Sequence, residues 1–211
     1  MTNKKEIIAA IIIIGNEVLS GRTKDLNTST LSIWLNSIGI VVKEVRVIPD
    51  IEKKIISTVN ELRNKFDYVF TTGGIGPTHD DITAESVSKA FNLEYGIHKE
   101  AFSILERYYE QGEFNKGRQK MSMMPTKAKL ILNPSSGAPG FYIENVFCLP
   151  GVPSILKAMI GGLSNVLVGG DPILSKTINL KTYESEIAKS LTNVQNNNKD
   201  VEIGSYPFFR Q

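Results

Sequence analysis

Apolar residues fall along this chain in two recurring patterns: short, unbroken β-branched runs, and longer stretches with helical spacing. Ile7 to Ile14 is almost wholly apolar, which is how a strand buried on both faces reads. Leu31, Trp34, Leu35 and Ile38 follow at helical spacing, and Gly39 closes that helix. Ile40 to Ile48 predicts a second strand, and Pro49-Asp50 opens a helix whose inner face is Ile51, Ile55, Val59 and Leu62. Asp67-Tyr68-Val69-Phe70 runs into a glycine turn, behind which Val87, Ala90 and Phe91 form the apolar stripe of another helix. Strands and helices alternating over short connections imply right-handed crossovers and a mostly parallel sheet covered on both faces. Further on, His98 to Gln111 predicts an amphipathic helix with Phe102, Leu105 and Tyr109 inward. Phe141-Tyr142-Ile143 and Val146-Phe147-Cys148-Leu149, joined by Glu144-Asn145, predict an antiparallel hairpin. Pro153 suits the first turn of a helix carrying Ile155, Leu156, Met159 and Ile160.

Gly161-Gly162 and Gly169-Gly170-Asp171-Pro172 mark a boundary. Residues 1–168 are expected to form one domain, and residues 169–211 the truncated start of a small C-terminal α/β module. Within that module Ile173 to Leu180 and Val201 to Ile203 predict strands, and Tyr183 to Val194 a helix.

Composition narrows the picture without changing it. The chain has 211 residues, 41% of them apolar and 22% charged, as in an ordinary soluble globular protein. Its net charge of +2 comes from scattered basic residues, so it carries no footprint for nucleic acid. The single cysteine, Cys148, excludes an intramolecular disulfide and lies in an apolar run, where it predicts a buried structural thiol in a reducing compartment. Ile7 to Ile14 is too short to span a bilayer as a helix, and Glu6 interrupts the basic start that a signal peptide would need. A cytoplasmic protein with no membrane partner is expected.

The candidate chemistry centres on Thr71-Thr72-Gly73-Gly74-Ile75-Gly76-Pro77-Thr78-His79-Asp80-Asp81-Ile82-Thr83. Gly73, Gly74 and Gly76 let the backbone turn with positive φ and approach a ligand closely. Thr78-His79-Asp80-Asp81 fits a capping box, so the turn is expected to lead directly into a helix start whose free N–H groups attract anions. Asp80 and Asp81 either cap that helix or hold a divalent cation, because bare carboxylates repel a phosphate unless a cation lies between them. Two further special turns, Ile131 to Phe141 and Leu149-Pro150-Gly151-Val152-Pro153, add to the first. The basic segment Lys116, Arg118 and Lys120 reads either as a solvated face or as a phosphate clamp.

Together these turns are recognisable. Gly15-Asn16-Glu17-Val18-Leu19-Ser20-Gly21 with Asn27, the glycine turn with Asp80-Asp81-Ile82-Thr83, Ala138-Pro139-Gly140-Phe141 and Pro150-Gly151-Val152-Pro153 resemble the MoaB/Mog molybdopterin-binding-like domain. The nearest likeness is to its CinA (competence/damage-inducible protein A) branch of short, stand-alone type, and the molybdopterin-binding-like part of eukaryotic FAD synthase is similar. The resemblance covers about residues 5 to 165. It implies a three-layer α/β/α fold with a mostly parallel central sheet and a β-hairpin extension, in a protein that self-associates as a dimer or trimer.

The resemblance further implies a pocket for a nucleotide or pterin phosphate. Gly15, Glu17, Asn27, Thr72, Gly73, Gly74, Gly76, Thr78, Pro139, Gly140, Pro150 and Gly151 would bind the ligand. Asp80 and Asp81 would hold a divalent ion (Mg, Mn or Co), and they and Asp50 would be catalytic in a metal-dependent nucleotide pyrophosphatase. Molybdopterin binding or adenylyl transfer in cofactor assembly, and non-catalytic nucleotide binding, are the alternatives. The chain departs from the bifunctional CinA pattern at Ser136-Gly137, and its 211 residues include no amidase domain, so nicotinamide-nucleotide deamidation is not carried over.

Overall fold

The computed structural model describes residues 6–172 and 174–208. The chain divides into two compact units, Met1–Ile173 and Leu174–Gln211.

The first unit is built on a six-stranded sheet. It contains β1 (Ile7–Ile14), β2 (Ile40–Ile48), β3 (Tyr68–Thr72), β6 (Lys129–Ile131), β7 (Gly140–Ile143) and β8 (Val146–Leu149), in the order β2-β1-β3-β8-β7-β6. The pairings among β2, β1, β3 and β8 are parallel, and the β7–β8 hairpin and β6 add antiparallel strands at one edge. A separate two-stranded sheet pairs β4 (Tyr95–Ile97), which leads into α5 (Lys99–Tyr108), with β5 (Met123–Pro125).

The alternation of β1 shows why its sequence is apolar throughout. Ile12 and Ile14 pack with Ile55, Val59 and Leu62 of α3 (Glu52–Arg63) and Val87 of α4 (Thr83–Ala90). Ile11 and Ile13 face the other way, onto Leu31 and Leu35 of α2 (Asn27–Ser37) and Leu156 and Met159 of α7 (Pro153–Ile160). Each such side chain contributes roughly 1.5–3 kcal/mol when removed from water. The result is the expected three-layer α/β/α architecture. In β2, an edge strand, the register against β1 slips at Lys43, which is an extra residue between Val42, opposite Ala9, and Glu44, opposite Ala10. Beyond this bulge Arg46 faces α3 and forms a fork with Glu61 at 2.6 and 2.7 Å.

Three expectations need correction. The helix after Pro49-Asp50 begins at Glu52, which leaves Ile51 exposed at its start rather than on the inner face. The helix behind the glycine turn begins at Thr83, not at Thr78; the Thr78–Asp81 segment closes on itself first. In the second unit, α8 (Glu184–Asn197) forms where a helix is predicted, but residues 174–180 and 201–203 are not strands; Ile173 lies outside the described residues. A strand needs a neighbour, and for residues 201–203 the Gln195 side chain stands in for one. Its amide donates to the Val201 carbonyl at 2.7 Å and accepts from the Ile203 N–H at 2.8 Å.

Candidate functional site

Parallel strands place the loops after β1, β2, β3 and β8 on one rim of the sheet, at their carboxyl ends. After β1, Gly15 is buried and donates its N–H to the Ile48 carbonyl at 3.2 Å. The short helix α1 (Asn16–Leu19) follows, and the Glu17 carboxylate folds back over Gly15, into the space a side chain there would occupy. After β2, the Asp50 carboxylate accepts the Asn16 N–H at 2.8 Å. Burial pushes the Asp50 carboxyl above the ordinary carboxylate range, and the charges of Glu17 and Asp80 add to this while the Asn16 N–H opposes it.

The turn after β3 depends on Gly73 and Gly74; Gly76, expected to share their positive φ, does not have it. Gly73 has φ 101°, and a Cβ there would land on the Ile14 carbonyl oxygen. Gly74 has φ 68°, and its missing side chain makes room for the Thr83 hydroxyl, which is buried without a hydrogen-bond partner among the described residues. The Gly73 N–H is committed to the Leu149 carbonyl of β8 at 3.1 Å. The N–H groups of Gly74, Ile75 and Gly76 have no partner among the described residues, so they are the open donors of the turn.

Beyond them Thr78 gathers both acids. Its N–H donates to Asp81 Oδ2 at 2.7 Å, and its hydroxyl oxygen lies 2.5 Å from Asp80 Oδ1 and 2.6 Å from Asp81 Oδ2. A hydroxyl carries one proton, so only one of those two contacts can be a donated hydrogen bond. Three oxygens, two of them anionic, are therefore crowded around a single proton. The Thr78 hydroxyl holds the Asp80 carboxyl below its ordinary range, helped by His79 and Lys120. The Lys120 ammonium reaches in from α6 (Lys116–Lys120) and donates to the Thr78 carbonyl.

On the other side of the glycine turn, Asn27 is buried at the start of α2 and donates to Thr72 Oγ1 and to the Gly151 carbonyl. Its Oδ1 is buried without a partner among the described residues. The Asp25 carboxylate fixes this helix start by accepting the N–H groups of Asn27 and Thr28 at 2.9 and 3.1 Å. Glu17, Lys24, Asn27, Thr72 and Gly151 line a cleft of about 40 Å³, enough for about one water.

The rim thus divides into two parts. Glu17, Asn27, Thr72 and Gly151 line the cleft, while Thr78, Asp80 and Asp81 form a more exposed acidic turn outside it. Asp50, held on the Asn16 N–H, feels the charges of both Glu17 and Asp80. Gly151 leans on Gly73, with 3.4 Å between a Cβ built on the former and Cα of the latter. Pro150 is half-buried beside it. Pro139 and Gly140 are buried at the same end of the sheet, and Gly140 is a packing position: a side chain there would press on the Cys148 carbonyl and the Met159 methyl group. Cys148 is fully buried, which pushes its thiol up to about 12, and it is no nucleophile.

Among the described residues no three His, Cys, Asp or Glu side chains form a group that could hold a metal by themselves. The donor set at Thr78, Asp80 and Asp81 nevertheless suits a hard cation of the magnesium kind, which takes one or two carboxylates and completes its shell with water and ligand phosphate. Sequence reasoning passes over Asp25, includes Thr83 in the glycine-turn motif without giving it a role, and leaves Lys120 between two roles. Asp25 is readable as an N-capping acid two residues before Asn27, whereas a buried threonine without a partner has no sequence signal.

Comparison with known proteins agrees with this architecture. Residues 10–169 match the family described as "Probable molybdopterin binding domain", and residues 172–211 match the middle domain of FAD synthase. A protein of Archaeoglobus fulgidus is 34% identical over 93% of this chain and 84% of its own length. A CinA-like protein of Geotalea uraniireducens is 37% identical over 72% of this chain, but the match spans only 37% of that longer protein. The crystal structure of CinA from Thermoplasma acidophilum superposes with a TM-score of 0.71 at 29% identity, over 77% of this chain and 99% of that one. Among the described residues no helix is long and apolar enough to cross a membrane. With its glycine turn, acidic pair and three-layer sheet in this arrangement, the chain belongs to the molybdopterin-binding (MoaB/Mog-like) domain family, in its CinA branch.

Proposed function

We propose that the protein binds a nucleotide or pterin (pyro)phosphate and acts as a metal-dependent nucleotide pyrophosphatase on an ADP-ribose- or FAD-type diphosphate. The observation that carries this reading is the crowding of Asp80 and Asp81 around the single proton of Thr78, beside three open amides at Gly74, Ile75 and Gly76. Anionic oxygens so arranged are relieved by a cation, and open amides attract an anion. In this reading Asp80, Asp81 and Thr78 hold the divalent ion (Mg, Mn or Co), and the amides bind one phosphoryl group. When bound, such an ion neutralises phosphoryl charge and makes water more acidic. Asp50, whose carboxyl is pushed above the ordinary range, receives the proton of the attacking water. The water oxygen forms a new P–O bond as the bridging P–O bond breaks. From ADP-ribose the products are AMP and ribose 5-phosphate.

The test is AMP release from ADP-ribose and from FAD with magnesium, manganese and cobalt in turn. Turnover that depends on metal and falls at least about a hundredfold in Asp81→Asn supports the reading. Absence of turnover with every metal, or unchanged turnover in Asp81→Asn, overturns it. Self-association as a dimer or trimer is part of the proposal and is checked by light scattering.

The family description favours one second reading, pterin binding at the same rim in molybdenum cofactor assembly. Pterin fluorescence co-purifying with the protein supports it. Tight nucleotide binding without product over hours indicates a binding protein that lacks the chemistry.

A further inference from the structure

The rim as described is acidic. Asp80 and Asp81 meet at Thr78, Asp50 accepts the Asn16 N–H, and the charges of Glu17 and Asp80 act on Asp50, so the rim on which an anionic ligand is to bind carries four carboxylates. One divalent ion does not offset four carboxylates and a diphosphate, and a further cation belongs there. The basic segment 116–120 has three side chains that could supply it, and the structure separates them.

The Arg118 guanidinium is already engaged. It donates to the Glu113 carboxylate at 3.0 Å and the Glu113 carbonyl at 2.6 Å, and lies over the Tyr109 ring at 4.1 Å. Lys116 is exposed. Lys120 alone of the three reaches the glycine turn, where it donates to the Thr78 carbonyl. It is held there by design of the segment. Asn115 caps α6 through Arg118 N–H at 3.1 Å, Gln119 is tied to the Phe114 carbonyl at 3.0 Å, and the buried Ser122 that follows accepts the His98 N–H at 2.9 Å. An ammonium has three donors, and the Thr78 carbonyl uses one.

We propose that Lys120 is a phosphate-binding residue of this site: docked on Thr78 by α6, its ammonium donates to phosphoryl oxygens of a diphosphate ligand that also lies against the acidic turn. The inference rests on the reading that the rim takes a diphosphate, but it does not require that the diphosphate be hydrolysed.

Inorganic pyrophosphate is titrated in the presence of magnesium into the wild-type protein, Lys120→Met and Lys120→Arg by calorimetry, with melting temperatures recorded for all three and ADP-ribose turnover for the wild type. The expected result is about tenfold or greater weakening in Lys120→Met, recovery of most of the affinity in Lys120→Arg, and melting temperatures close to the wild type. Added salt should narrow the gap between wild type and Lys120→Met. Equal pyrophosphate affinity in wild type and Lys120→Met overturns this inference alone. Weakened binding that comes with a large fall in melting temperature, and that arginine does not rescue, makes Lys120 a structural latch and also overturns it. Pyrophosphate binding lost in Lys120→Met, with no ADP-ribose turnover by the wild type, retires the hydrolase and leaves the lysine's role standing. A wild type that binds no pyrophosphate overturns both.

Discussion

The side-chain amide of Asn27 donates to the Gly151 carbonyl at 2.8 Å, across 124 positions of sequence. Because that carbonyl can only accept, the NH₂ end of the amide must face it, and Oδ1 is left as the buried acceptor without a partner among the described residues. This contact ties the start of α2 to the turn after β8, with Thr72 at the end of β3 as a third attachment. Asn27→Ala strands the carbonyl and is expected to cost about 1–3 kcal/mol. Asn27→Asp is expected to cost more at pH 8, because a carboxylate would then face a carbonyl. Thermal melts of the two variants at pH 5 and pH 8 check both statements.

Two left-handed glycines on the first unit give a matched comparison. Gly73 has φ 101° and its absent Cβ would land on the Ile14 carbonyl, whereas Gly21 has φ 71° and faces open space. Gly21→Ala should therefore cost only the backbone penalty, about 1–2 kcal/mol. Gly73→Ala adds a clash between the new Cβ and the main-chain carbonyl of Ile14 at the end of the central strand β1, and a loss of about 3 kcal/mol or more is expected. Denaturant titrations of both variants measure the difference.

The crowding at Thr78 predicts opposite effects with and without metal. In a chelator, Asp81→Asn removes a negative oxygen from the cluster and should leave the melting temperature unchanged or raised. In saturating magnesium the wild type should gain stability as binding linkage requires, about 2.7 kcal/mol at a hundred times the dissociation constant, and the variant should not. Scanning calorimetry across a magnesium series separates the two curves.

Asp50 should make stability fall as pH rises. Its carboxyl is pushed above its ordinary range, chiefly by burial, so the native state binds this proton more tightly than the unfolded chain does. The stabilisation is complete below the ordinary carboxylate value of about 4 and is lost as pH climbs through the raised value. Asp50→Asn, which still accepts the Asn16 N–H, should melt above the wild type at pH 7.5 and level with it near pH 3.5, as thermal melts at the two pH values will read.

Much of this molecule was legible in its sequence. β1, β2, the β7–β8 hairpin, α2 and α7 follow from apolar spacing, because each is set by burial on one or both faces. The glycine turn was equally legible, since only glycine tolerates the backbone at Gly73 and Gly74. What escaped were features decided by pairing over distance. Whether Thr78–Asp81 caps a helix or closes a turn depends on where α4 can begin once Thr83 N–H is bonded to the Gly74 carbonyl at 2.9 Å. Residues 174–180 and 201–203 have strand-like composition, but composition does not supply the neighbour that makes a strand. Lys120 reads either as a solvated lysine or as part of a phosphate clamp until α6 brings it to a loop 42 positions away.

The extra residue at Lys43 does more than turn Arg46 toward α3. An outermost strand with regular pleating is a template on which a second molecule can extend the sheet, and crowded chains can fuse that way into fibrils. The kink interrupts the row of main-chain donors and acceptors and sets a lysine at the break. Strand-to-strand joining along β2 is therefore disfavoured.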